Sequence, residues 1–308
     1  MGFVDRVLLA AFFLGLFINP PSKAGAQAPS STARTLAPGA IIGWSAERNP
    51  HPVTYRSGEI TITIRRVRAA DSVDLWAPYI VIQAPGRAAQ LIEGSPVWSS
   101  SEHLLGVGSL DRQGTPFVYL QSYTGGAHCC NAIQVAVVEP TEIRIIELGQ
   151  WDGGPDQAFP RDEDGDGMVD FVQHDGRFLY LFSSYAESMA PPRVLNIVDG
   201  RRLDVSSRAG FRHLFVQAAQ SSRRNCVERG YGGNPNGACA AYAASAARAG
   251  SFEVAWPEIL SAFNPADWDL PTGCRVAQDP CPASAEIRFR NYPDALRHLL
   301  REWGYLPN

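Results

Sequence analysis

The sequence predicts an α+β fold, with an antiparallel β-rich N-terminal region followed by a helical C-terminal region carrying disulfides. The β region is expected to be a meander, a partial propeller or a sandwich. Three observations point there. Between residues 40 and 206, apolar residues recur at every second position in short runs separated by turn residues, the period of half-buried strands. From 207 to 308 the runs become alanine-rich and helix-compatible. Six cysteines follow a leader-like N-terminus, the pattern of a chain that folds in an oxidising compartment.

Residues 1–26 read as a secretory signal peptide. Arg6 precedes the apolar run Val7–Ile18, "NPPS" breaks it, and Ala24 and Ala26 supply small residues for a cut after Ala26. Twelve apolar residues are too few for a bilayer, which takes about 20, and no later run is longer. The expected product is periplasmic or secreted, without membrane insertion once the leader is removed. Residues 27–39 are small, polar and proline-bearing, a flexible lead-in.

Within 40–206, "EITITIRR" alternates Ile60, Ile62 and Ile64 with polar residues. "YIVIQ" and "AAQLI" flank Ala84-Pro85-Gly86, and "FVYLQSY", "NAIQVAVV" and "EIRIIEL" follow. Two hairpins are expected at Asp-Gly dipeptides, which take the positive φ angles of a two-residue turn. One joins "DFVQH" to "RFLYLF" through Asp175-Gly176, and the other joins "VLNIV" to "RRLDV" through Asp199-Gly200. In 207–308, "FRHLFVQAAQ", "ACAAYAASAARA" and "AWPEILSAF" are helix candidates. The last helix has Pro293 in its first turn, Leu296, Leu299, Leu300 and Trp303 at helical spacing, and Gly304 to stop it. Proximity pairs Cys226 with Cys239 and Cys274 with Cys281.

Composition excludes some functions. Lys23, in the leader, is the only lysine of the 308 residues. Schiff-base chemistry and a Walker-type phosphate loop are therefore ruled out for the exported product. Loss of Arg6, Lys23 and Asp5 with the leader moves the net charge from −4 to −5, an acidic balance that argues against nucleic-acid binding.

The segment "PRDEDGDGMVDFV" concentrates charge. From Trp151 to Asp170, seven carboxylates face one cation, Arg161. Like charges ~4 Å apart cost about 1 kcal/mol even in water, and more where water is excluded. Asp162, Asp164, Asp166, Gly167 and Asp170 fall at positions 1, 3, 5, 6 and 9 of a calcium loop, with the Met168 carbonyl at position 7. Ca²⁺ takes six to eight hard oxygens, which this spacing provides. Gln173 stands at position 12 where an EF-hand has glutamate, and a strand follows instead of a helix. The loop resembles those of FG-GAP or VCBS-like repeats, in which an Asp-rich turn leads into a strand. A degenerate partner, "SLDRQGTPFVYLQSY", lies 53 residues earlier and keeps only Asp111 as an acid. That resemblance implies a structural Ca²⁺ bound by Asp162, Asp164, Asp166, Met168 and Asp170. The alternative is a solvated acidic turn.

"SYTGGAHCCN" is the second unusual stretch, similar to "GGAHCC" loops of exported bacterial proteins with calcium-type repeats. Cys129 and Cys130 either pair with each other, pair elsewhere, or join His128 in holding a soft metal. Oxidising export favours disulfides. No HExxH, Gly-x-Ser-x-Gly or Cys-x-x-Cys spacing exists. The expected function is a calcium-stabilised binding module of the cell envelope, recognising a protein or envelope ligand. The alternative is a calcium-assisted hydrolase using Asp152 and Asp156 as acid and base.

Overall fold

In a computed structural model, the described residues are 33–152, 158–228, 233–266, 269–276, 278 and 280–307. The leader and residues 27–32 of the lead-in lie outside them, as does Asp156.

Among the described residues, sixteen strands and four α-helices follow in order. The strands are β1 (Arg34–Thr35), β2 (Ile41–Trp44), β3 (Val53–Ser57), β4 (Ile60–Arg68), β5 (Leu75–Gln83), β6 (Gln90–Glu93), β7 (Val97–Trp98) and β8 (His103–Ser109). They continue with β9 (Pro116–Tyr123), β10 (Cys129–Val138), β11 (Ile143–Asp152), β12 (Phe171–His174), β13 (Pro192–Val198), β14 (Arg201–Asp204), β15 (Thr272–Cys274) and β16 (Glu286–Arg288). The helices are α1 (Arg212–Val227), α2 (Asn236–Ala249), α3 (Phe252–Ala262) and α4 (Tyr292–Glu302).

The strands build stacked layers. A six-stranded sheet runs β1-β3-β4-β5-β6, with β7 also on β5, and a five-stranded sheet runs β11-β10-β9-β8-β2. Ile60, Ile62 and Ile64 of β4 meet Leu105, Val107, Val118 and Leu120 of the second sheet in one core. The alternation seen in the sequence is therefore the inner face of a sandwich. The second sheet is buried on its other face too. Phe117, Tyr119, Val135 and Leu148 pack on Phe171, Leu195 and Ile197 of a third sheet, β12-β13-β14. A middle layer covered on both sides accounts for the near-continuous burial along β8 and β9. Phe159 fits over it because Gly106 and Gly108 leave room; a Cβ at either would strike its ring.

The third sheet carries the helices. Val194, Val205, Phe211 and Phe215 join it to α1. The alanines of α2 let neighbouring helices approach closely, so that Ala240, Ala241, Ala243 and Ala244 are fully buried. Leu296, Leu299 and Leu300 of α4 complete this helical core. Asn291 caps α4, its Oδ1 accepting from the Asp294 N–H at 2.9 Å. Residues 33–308 form one compact unit.

The Asp199-Gly200 hairpin forms as β13 and β14, with φ of 49° and 68° at the two turn residues. The Asp175-Gly176 hairpin does not. Strand β12 pairs with β13, and residues 175–191 leave the sheet through two 3-10 turns, Gly176–Phe178 and Tyr185–Glu187. Asp175 is buried and caps the first turn, accepting from the Arg177 N–H and from Tyr305 Oη. Phe178 and Phe182 are buried in the helical core, not along a strand. Burial of two aromatic rings against the helices outweighs the local preference of the dipeptide.

Candidate functional site

Two polar clusters stand out, and both lie on predicted loops. In the first, carboxylate oxygens of Asp162, Asp164 and Asp166 come within 4.8 Å of one another. That separation matches opposite sides of a Ca²⁺ shell with oxygens 2.3–2.6 Å from the ion. Gly165 and Gly167, with φ of 79° and 91°, let the backbone wrap the loop. Asp162 accepts from the N–H groups of Gly165 and Gly167 at 2.7 and 2.8 Å. Asp164 accepts from Asp166 N at 3.1 Å, and Asp166 from Met168 N at 2.7 Å. Met168 is half-buried as the chain turns inward.

Asp170 sits beneath this trio and is 1% exposed. Its carboxylate accepts from Glu163 N at 2.8 Å and from the Asn196 amide at 2.6 Å. Burial, with a smaller push from Asp164 and Asp166, raises its pKa above the ordinary carboxylate value. Three guanidiniums touch the loop. Arg112 donates to the Gly165 carbonyl at 2.8 Å, Arg208 lies 3.4 Å from Asp166, and Arg161 pairs with Glu163 at 2.7 Å. Five carboxylates in residues 162–170 against these three cations leave two negative charges. The loop also joins the chain's parts. The turn after β8 lies alongside, Val169 N donating to the Leu110 carbonyl at 2.8 Å. On the helical side, Gly210 packs against Asp164 so closely that any side chain there would collide. A cleft of about 340 Å³ opens beside the loop, with Asp170, Glu163 and His174 set among the rings of Tyr119, Phe159 and Phe171.

The second cluster surrounds His128. Cys129 and Cys130 form a disulfide with each other, as do Cys226 with Cys239 and Cys274 with Cys281, and no described cysteine is free. Of the alternatives for the loop, pairing between neighbours is the one observed. Strand β10 begins at Cys129, which faces Asp152 in the ladder with β11. His128 Nδ1 lies 2.9 Å from Asp152 Oδ1, and Tyr185 Oη donates to the same oxygen at 3.0 Å. His128 Nε2 lies 3.1 Å from Tyr180 Oη. The His128 and Tyr185 rings stack with centroids 3.8 Å apart. Burial and the Asp152 carboxylate raise the Tyr185 hydroxyl above its ordinary pKa. Tyr180 is half exposed and adopts φ 59°, a conformation rare outside glycine.

Sequence reasoning placed the loop aspartates and both unusual stretches. It missed Asn196, Arg112 and Arg208 around the first cluster, and Tyr180 and Tyr185 around the second. Nothing local signals Arg112 or the tyrosines; the latter reach His128 only because 175–191 leaves the sheet. Asp152, proposed as an acid or base, is engaged by His128 and Tyr185.

The family model described as the sll0997 C-terminal domain matches residues 215–304, from α1 to the end of α4. A protein of Synechocystis sp., "Probable thylakoid lumen protein sll0997", is 33% identical over 259 residues, covering 81% of this chain and 74% of that protein. The chain belongs to the sll0997 family. Another relative, "Uncharacterized protein y4bJ" of Sinorhizobium fredii, is 27% identical over 274 residues, covering 86% of this chain and 42% of that protein. No solved structure matches the chain. The sll0997 C-terminal match covers the helices, so both clusters lie outside it, while the similarity to the two relatives extends across most of this chain.

Proposed function

We propose that this chain is an exported binding module of the cell envelope, periplasmic or secreted, whose sheet-to-helix junction is held by a structural Ca²⁺ at 162–170. The observation that carries the reading is the charge balance at that loop. Asp162, Asp164 and Asp166 converge on one point above the buried Asp170, and the surrounding guanidiniums leave two negative charges uncompensated. A hard divalent cation supplies the missing charge and accepts carboxylate oxygens in this arrangement. Asp162, Asp164 and Asp166 would hold it directly, with Asp170 and the Met168 carbonyl on the inner side. The ion's chemistry here is to fix the loop, so that β12 starts in register and Arg208 and Gly210 stay docked.

Export is supported by three disulfides, which persist in oxidising compartments, and by the lumenal name of the Synechocystis relative. Among the described residues, no helix is long and apolar enough to cross a membrane. Binding to a protein or envelope ligand is supported by the outer face of the first sheet. There Leu75, Tyr79, Val81, Leu91 and Trp98 share one side of β5, β6 and β7, with Trp98 59% exposed. An exposed apolar and aromatic surface of this kind suits recognition.

Calorimetric titration of the purified protein with CaCl₂, with Asp164→Ala in parallel, tests the reading. Binding on the order of 10⁻⁴–10⁻³ M is expected, as in extracellular modules. With a Kd near 3 × 10⁻⁴ M, 10 mM Ca²⁺ would stabilise the fold by about 2 kcal/mol. Asp164→Ala should abolish both heat and stabilisation. No heat, and a melting temperature indifferent to Ca²⁺ and chelator, would refute the calcium site.

A further inference from the structure

The Cys129–Cys130 disulfide differs in kind from the other two. Cys226–Cys239 joins α1 to α2 with both residues fully buried, and Cys274–Cys281 closes a loop across seven positions. Each restricts the unfolded chain. A bond between consecutive residues closes no loop, so it removes almost no chain entropy and is not a staple. It is also half-exposed, next to the open Gly125-Gly126-Ala127 turn. The residue immediately before it is a histidine whose two ring nitrogens are both engaged. Asp152 lies at Nδ1 and Tyr180 Oη at Nε2, while the Tyr185 ring stacks on its face. A chain of proton carriers thus runs from partly buried Asp152 through His128 to the hydroxyl of half-exposed Tyr180, with His128 the residue directly before the two cysteines.

We propose that Cys129–Cys130 is a thiol–disulfide exchange site that takes two electrons from a dithiol, with His128 as its proton carrier. The dithiol's first S–H gives its proton to His128 Nε2, and the resulting thiolate bonds to one of the two sulfurs. The Cys129–Cys130 bond breaks, and the leaving sulfur departs as a thiolate that takes the proton back from the imidazolium. Asp152 stabilises the imidazolium while it lasts. The dithiol's second S–H then gives its proton to the neutral His128, and the thiolate attacks the dithiol's own sulfur in the mixed disulfide. That step releases the remaining protein sulfur as a thiolate, which takes this proton back from the imidazolium. The dithiol ends as a disulfide and the protein as two thiols. Reduction frees the start of β10, where the ladder with β11 is already irregular between Cys129 and Asn131.

Native protein would be exposed to graded dithiothreitol at pH 7, alkylated, and each cysteine peptide weighed. The peptide holding Cys129 and Cys130 should gain two labels while Cys226 and Cys239 stay unlabelled. His128→Gln should slow labelling roughly 10²-fold, the contribution of a positioned proton carrier, without moving the midpoint dithiol concentration. Tyr180→Phe, which keeps the ring, should shift the pH profile of the rate, a readout that a packing role would not move. A Cys129→Ser, Cys130→Ser double variant should melt within ~1 °C of the wild type, since little chain entropy is involved. The proposal is overturned if Cys274 and Cys281 label first, or if His128→Gln and Tyr180→Phe, both folded by circular dichroism, label like wild type. A double serine variant that melts as low as one lacking Cys226–Cys239 would likewise assign the bond a stapling role.

Discussion

His103 lies on the inner face of β8, between Trp44 of β2 and Ser122 of β9. It is 1% exposed, and its Nδ1 is 2.7 Å from Ser122 Oγ, which also accepts from Ser95 N. Nδ1 and that hydroxyl share one hydrogen bond, and the buried Nε2 has no partner among the described residues to hold a second proton. Burial pushes its pKa from 6.5 down to about 4. Well above pH 6.5 both folded and unfolded states hold it neutral, so it adds no pH dependence there. As pH falls below 6.5 the unfolded chain takes up a proton that the folded chain refuses, and the fold loses stability. With these two values the loss is about 2 kcal/mol at pH 5 and about 3 kcal/mol near pH 4. In a chain of this size that is roughly 5 °C in melting temperature at pH 5. The perturbation is His103→Asn, which keeps a polar atom near Ser122 but does not titrate. Urea unfolding of both proteins at pH 7.5, 6 and 5 supplies the comparison, because the carboxylates contribute equally to each. The variant should be less stable at pH 7.5, yet lose about 2 kcal/mol less on going to pH 5. Parallel losses in the two proteins would show that His103 does not titrate as its burial requires.

Asn196→Ala should cost roughly 2–3 kcal/mol, because the buried Asp170 carboxylate loses one of its two donors, and part of the loss should return in excess Ca²⁺. Urea midpoints with Ca²⁺ and with chelator measure both effects, and a cost below about 1 kcal/mol would remove Asp170 from the account. Phe182→Ala should cost about 3–5 kcal/mol, since its ring is 1% exposed and meets Tyr292 edge-on at 4.7 Å. Denaturation showing a change of a few tenths of a kcal/mol would return residue 182 to the surface ribbon expected from the sequence.

The β half was legible where one face alone meets solvent. Ile60, Ile62 and Ile64 announce their sheet because polar residues alternate with them. The helices were legible through alanine and through the caps of α4. The layering was not, because burial of the second sheet on both faces erases alternation in β8 and β9. The false hairpin at Asp175-Gly176 has the same origin. A dipeptide reports only local backbone preference, while the path of 175–191 is set by Phe178 and Phe182 reaching helices more than thirty residues later in the chain. In the first cluster the acids declared themselves by spacing, whereas Arg208 and Asn196 are brought there by the third sheet. In the second, the partners of His128 lie 24, 52 and 57 positions away, distances that no local pattern encodes.

The hydroxyl of Tyr305 reaches Asp175 across 130 positions, and α4 fills the helical core with three leucines. A chain emerging N-terminus first therefore leaves Phe178 without Trp303 and Tyr305, and Phe182 without Tyr292, until residues 292–305 arrive. The sandwich can close early, but the junction below it waits for nearly the last turn of helix. Such delayed closure makes the helical junction, not the sandwich, the last part of the fold to consolidate.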